Sequence, residues 1–169
     1  MIGYEFTEYA KRNKSSNEAM NSIIEQLSED EWKKDFSGYY KSIYELCSHI
    51  YSTDYNWFKR FVETCNFSMK TNNFFEKGLY PERQFKTAIF PGVKEYISMR
   101  NELDETIIKY IGKLSEEDLK KIVIIPDTDD KVFELELGPM IFYMFNHQTH
   151  HRGMISLYLD MLGKENDYC

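Results

Sequence analysis

Phe142-Tyr-Met-Phe-Asn-His-Gln-Thr-His-His-Arg-Gly-Met-Ile-Ser-Leu-Tyr-Leu159 carries the pattern from which the rest of the chain can be read. On a helix, Met140, Met144, His147, His151, Met154, Ile155, Tyr158 and Leu162 recur at steps of three and four and share one stripe. Two histidines therefore lie in the middle of an apolar face. A neutral imidazole costs about 1–3 kcal/mol to bury without a partner, so two stacked one turn apart need a common one. A divalent metal would serve both, because side chains at i and i+4 can turn toward one ion. Hydrogen-bonded core histidines are the other reading of the same spacing. His150 falls about 60–100° off the pair on the wheel and is the neighbour, not the ligand. Of the four histidines in the chain, the one outside this cluster is His49, in another helix-like segment. It is the natural third ligand.

A chain of 169 residues makes one domain, taken here as 1–169, with a substantial core. Aromatic residues are 16% of it, so rings carry much of the apolar surface to be buried. A net charge of −7 without a lysine or arginine cluster argues against nucleic acid and against anionic membranes, both of which need a basic face. No stretch approaches the roughly 20 apolar residues of a membrane span, and the N-terminus lacks a signal-peptide core, so a cytoplasmic protein is expected. Cys47, Cys65 and Cys169 lack paired spacing and fit reduced thiols; Cys47 reads as core.

In chain order, Phe6, Tyr9, Ala10, Met20, Ile23, Ile24 and Leu27 predict a helix over about 4–27, with a bend or a partly exposed turn at Lys14-Ser-Ser-Asn17. Ser28-Glu-Asp-Glu31 is suited to cap a short turn around Trp32. A second helix over about 40–64 has the stripe Ile43, Leu46, Cys47, Ile50, Trp57, Phe58 and Phe61, with His49 on its flank and Asp54 near its centre. Asn72-Asn73, Gly78, Pro81 and Pro91-Gly92 punctuate a long connection rich in phenylalanine. A third helix runs from Val93 to Ile111 and ends at Gly112. Lys121–Pro126 and Lys131–Leu137 flank an aspartate-rich turn and predict a hairpin, after which Gly138-Pro139 opens the last helix. The turn lacks the glycine and distal glutamate of a calcium loop. The fold class is therefore all-α, a four-helix bundle with a long crossover and a small β-hairpin before the last helix. Such bundles build metal sites from facing side chains in the core.

His49 followed by Asp54 and Trp57, the run Asn146-His-Gln-Thr-His-His-Arg-Gly153, and the ending Leu162-Gly163 with Asp167 after it resemble the DinB/YfiT-like metalloenzymes. The resemblance spans about residues 9–167. It implies an up-down-down-up bundle, a homodimer, and a divalent metal, zinc or nickel, on His49, His147 and His151. The family commonly carries glutamine after the Arg-Gly pair, where this chain has Met154.

Three neutral imidazoles leave a 2+ ion its full charge and an open position, which supports hydrolysis or the transfer of an activated thiol. Thiol S-transfer enters by the resemblance, and a small-molecule substrate, a thiol among the candidates, is the expected partner. Asp54 is a candidate to accept a ring N–H from a ligand histidine, the alternative being an ion pair with Arg152 or Arg60. Tyr143 and Tyr158 are candidates to line the pocket or to pack in the core. The competing expectations are a stress-related bundle with a purely structural metal, and an interaction module without one.

Overall fold

The computed structural model describes residues 2–65, 90–126 and 132–168. Four long helices make the body: α1 (Ile2–Ile24), α3 (Ile43–Thr64), α4 (Val93–Ile111) and α5 (Leu137–Met161). A short α2 (Glu29–Lys33) follows α1, and a hairpin of β1 (Ile122–Pro126) and β2 (Val132–Glu136) precedes α5. This is the expected helical bundle with its small hairpin. The long helices pack chiefly as a ring in which α1 and α3 each contact α4 and α5. Consecutive helices α1 and α3 thus lie across the bundle from one another, and the face between α3 and α5 is where His49 and the clustered histidines meet. No described helix is long and apolar enough to cross a membrane.

Local chemistry sets the boundaries. Ser28 and Glu31 form a reciprocal capping box at the start of α2, whose Trp32 is buried. Helix α3 begins at Ile43 and not near Tyr40, because the Ser42 side chain accepts from the Glu45 N–H at 3.1 Å and caps it there. Tyr40 is thereby released from the helix into the preceding loop. Antiparallel pairing runs from Ile122↔Glu136 to Pro126↔Val132, and the Leu137 N–H donates to the Lys121 carbonyl at 2.9 Å, so the hairpin leads straight into α5. Gly163, at φ +70°, takes the left-handed conformation that ends α5 and turns the tail back along it. The tail is then held by the Tyr168 hydroxyl, which donates to the Arg152 carbonyl at 3.0 Å.

The helix continues through the polar patch Lys14–Asn17 as expected, with Ser15 exposed. The departure is Asn17, which is 1% exposed and faces inward with Asn13. These amides are core residues with polar partners, as described below. Most of the long connection, residues 66–89, and the aspartate turn at 127–130 lie outside the described residues, as does Cys169. The end of the connection is pinned: Phe90 packs on Tyr51 and Tyr96, and its carbonyl accepts from the Tyr44 hydroxyl at 2.6 Å. Cys47 is fully buried and its thiol is pushed up to about 12, which makes it a core residue and not a nucleophile.

Candidate metal centre

His49 projects from α3, and His147 and His151 project from one face of α5. Their Nε2 atoms converge: His49 lies 3.0 Å from His147 and 3.2 Å from His151, nitrogen to nitrogen. A single Nε2 carries either one proton or one lone pair, so His49 can satisfy one of these contacts as a hydrogen bond and not both. A cation among the three nitrogens satisfies all of them. Metal–nitrogen bonds of about 2.0–2.1 Å put adjacent ligand atoms about 2.9–3.4 Å apart for bond angles between octahedral and tetrahedral, a range that contains both observed separations. Burial, reinforced by the neighbouring histidines, pushes His147 down to about 3 and His151 to about 4. Both rings are thus neutral, the form that donates to a metal. The donor set fits a divalent ion. Among the described residues, no fourth histidine, cysteine or carboxylate joins the cluster.

The rings are held from two sides. Tyr40 lies 4.6 Å from His49 and edge-on to His151 at 5.4 Å, while Trp57 packs edge-to-face on His147 at 5.1 Å. His150 stays outside: it is exposed, and its ring only flanks that of His151. The helical register read from the sequence is therefore the one observed.

A model of the DinB family matches residues 3–169. The chain belongs to the DinB family. Among solved structures it is similar to a DinB-like protein from Bacillus subtilis, at 14% identity over 94% of each chain with a TM-score of 0.64. It is also similar to YfiT from Bacillus subtilis, at 13% identity over 95% of this chain and 89% of that one, TM-score 0.67. YfiT is described as a probable metal-dependent hydrolase with an unusual four-helix bundle topology. At these identities the likeness speaks for the fold. No curated protein matches the chain.

The remaining candidate positions in this DinB-family chain separate into three environments. Tyr143 is 55% exposed and packs against Trp57 at 5.2 Å, on the rim of the histidine cluster. Tyr158 is buried support: it stacks on Phe36 at 4.3 Å and its hydroxyl donates to the Tyr40 carbonyl at 2.7 Å, which fixes the loop that lays Tyr40 over His49. Gly38 is required there, since a Cβ at that position would collide with the Tyr158 hydroxyl. Met154, at the place where the family commonly has glutamine, is half-buried on the edge of the core.

Asp54 takes neither of the partners expected of it. Its carboxylate accepts from Arg100 Nη1 at 2.6 Å, and Arg100 Nη2 donates to Asp104 at 2.6 Å. Arg100 is completely buried on α4 and reaches Asp54 on the neighbouring α3, whereas Arg152 is committed elsewhere. Its Nη1 donates to Asn13 and Asn17 at 2.7 and 3.0 Å and its Nη2 to Thr149 at 3.2 Å, on the side of α5 that faces α1. One residue along a helix is a rotation of about 100°, which is why Arg152 leaves the face of its neighbour His151. Asn17 also donates to Asp104 at 3.0 Å and, with Asn13, to Gln148 Oε1 at 3.0 and 2.7 Å. The result is a buried polar network joining all four long helices. Asn13, Asn17, Asp104 and Gln148 are members to which the sequence pattern gave no role, and Arg100 lies on the stripe of α4 without an assigned partner. Their signal was present as polar residues at core positions, an arginine within the apolar stripe of α4 above all.

Proposed function

We propose that this DinB-family protein is a divalent-metal-dependent enzyme, a hydrolase or a thiol S-transferase, in which His49, His147 and His151 hold zinc or nickel. The observation that carries the reading is the convergence of three Nε2 atoms without a fourth protein donor among the described residues. Three ligands are the count of catalytic zinc sites, and four that of structural ones. When bound, the ion supplies a Lewis acid and eases deprotonation of a water or thiol. The chain's own contribution is to keep the His147 and His151 imidazoles neutral by burial, to lock the three rings between Tyr40 and Trp57, and to present the aromatic rim of Trp57 and Tyr143 to a small-molecule substrate.

The test is a screen of metal-loaded protein against ester, amide and thiol-plus-electrophile substrates, run beside His147→Ala. Turnover that requires both metal and His147 is expected. Cobalt-substituted protein should also change its visible spectrum when a small thiol is added. A spectrum that ignores every small ligand, with no turnover, would move the metal to a structural role. A homodimer is part of the same proposal. Exposed apolar side chains on the hairpin, Ile124 at 59% and Val132 at 56%, support a covered face there, and a light-scattering mass of one chain overturns it.

A further inference from the structure

A well-formed cleft stands apart from the histidines. It lies on the opposite side of α5, between α1, α5 and the returning C-terminal tail, and has a volume of about 760 Å³. That size falls within the roughly 300–1,000 Å³ of small-molecule sites. A smaller cleft of about 290 Å³ adjoins it and shares Arg12, Ser16, Asp167 and Tyr168 with it.

Its charge runs against that of the chain as a whole. Two arginines, Arg12 and Arg152, and one aspartate, Asp167, are the charged residues of the lining, so it is net positive in a chain of net charge −7. Arg12 stands exposed at the rim, and Arg152 is 8% exposed. Arg100, the other buried arginine among the described residues, is paired with two carboxylates, whereas the described hydrogen bonds of the Arg152 guanidinium go to neutral oxygens, those of Asn13, Asn17 and Thr149. Those three bonds leave two of the five guanidinium N–H donors for a ligand. A buried guanidinium is matched best by a planar or tetrahedral oxyanion taken through paired N–H donors. Ser16 adds a hydroxyl donor, while Tyr9 and the bare backbone of Gly153 form an apolar wall against which an organic body can lie.

We propose that this cleft is a second ligand site, separate from the histidine cluster, which binds a small molecule bearing a carboxylate or phosphate group on a compact apolar body. Arg152 receives the oxyanion, Arg12 draws it to the rim, and Tyr9 packs on the body.

The experiment is an amide NMR titration of the full chain with benzoate, with uncharged benzamide, and with inorganic phosphate competing against benzoate. Benzoate should move the Ser16, Asn13 and Gly153 resonances saturably, and benzamide should leave them in place. Displacement by phosphate assigns the recognition to the anion alone, and resistance to it assigns a share to the apolar body. Two variants locate the site. Gly153→Leu places its Cβ where nothing lies within 4 Å, so the helix accommodates it while its side chain fills the cleft. Benzoate affinity should fall at least about tenfold, which is a loss of about 1.4 kcal/mol. Arg12→Gln, at an exposed rim position, should weaken binding by about two- to fivefold, the range of an exposed charge pair. Their own amide spectra report that both variants are folded. Unchanged benzoate affinity in Gly153→Leu, equal shifts with benzamide, or no saturable shift at any cleft amide would overturn the proposal.

Discussion

Arg100→Met tests the buried network most directly. The substitution keeps much of the side chain's length and removes its charge, leaving Asp54 at 0% and Asp104 at 3% exposure without their shared cation. Removing one partner of a buried ion pair costs about 3–5 kcal/mol, because the other charge remains uncompensated. For a domain of this size that is a fall in Tm of about 6–20 °C. The loss should depend on pH, and its sign follows from Asp54. Burial already pushes Asp54 up to about 7 against the pull of Arg100. A carboxyl whose folded pKa lies above its unfolded value of about 3.9 takes up a proton on folding. Its favourable contribution is whole below about pH 3.9 and is lost as pH rises toward the folded pKa. Without Arg100 the folded pKa rises further, so the decline extends to higher pH and the gap to wild type widens from pH 5 to pH 8. Urea unfolding followed by circular dichroism at the two pH values measures this. Adding Asp54→Asn to Arg100→Met should recover part of the loss at pH 8 and little at pH 5. A loss under about 1 kcal/mol at pH 8, or one equal at both pH values, would refute the account of Asp54, Arg100 and Asp104 as a charge-compensated core.

Elemental analysis of the purified protein should find about one divalent metal per chain; none bound, even after zinc or nickel is added, would count against the histidine site. His150→Ala should keep that metal while His147→Ala and His151→Ala lose most of it, since only the latter two turn their Nε2 atoms toward His49; equal losses in all three would mean a different ligand set. Gly38→Ala should push the Tyr158 hydroxyl off the Tyr40 carbonyl, costing about 1–3 kcal/mol and loosening Tyr40 over His49; unchanged stability and unchanged metal affinity would show that the loop yields freely. Chelated protein should remain helical by circular dichroism, because the described core of Trp32, Leu46, Phe58, Tyr96, Leu103 and Ile155 is buried without the metal's help.

What was legible from residues alone followed the strength of local rules. The ends of α4, the capping box at Ser28 and the hairpin before α5 all rest on contacts within a few residues, and each stands where its pattern placed it. The triad was legible because histidine is scarce in the chain and His147 and His151 are one turn apart on an inward face. Partner choice was not. Asp54 is 46 residues from Arg100 in sequence, and nothing local distinguishes Arg100 from Arg152 or Arg60 as its counterion. Only the ring order of the helices, which sets α4 beside α3, decides it. The inward turn of Asn13 and Asn17 is hidden for the same reason. Asparagine on α1 reads as a weak, exposed turn until Gln148 and Arg152, 131 to 139 residues away, are brought to face it.

The two faces of α5 explain why one helix could bear so much. Met144, Phe145, Ile155 and Leu159 bury its flanks, while His147 and His151 turn toward α3 and Gln148 and Arg152 turn toward α1. An imidazole triad works as a metal site only if its backbone positions are held to within a fraction of an ångström, which demands support beyond the ligands themselves. Here that support has a chemical form. Gln148 and Arg152 bond to Asn13 and Asn17 of α1, Asn17 bonds on to Asp104 of α4, and Arg100 closes the circuit to Asp54, five residues along α3 from His49. Both helices that present histidines are thus tied into one network from their far sides. Apolar packing alone tolerates sliding of one helix past another, because one methyl group substitutes for the next; hydrogen bonds between specified buried groups do not, since each slip leaves a polar atom unpaired. The network therefore sets the register in which His49 meets His147 and His151, and a variant that relaxes it should lose metal affinity before it loses helix.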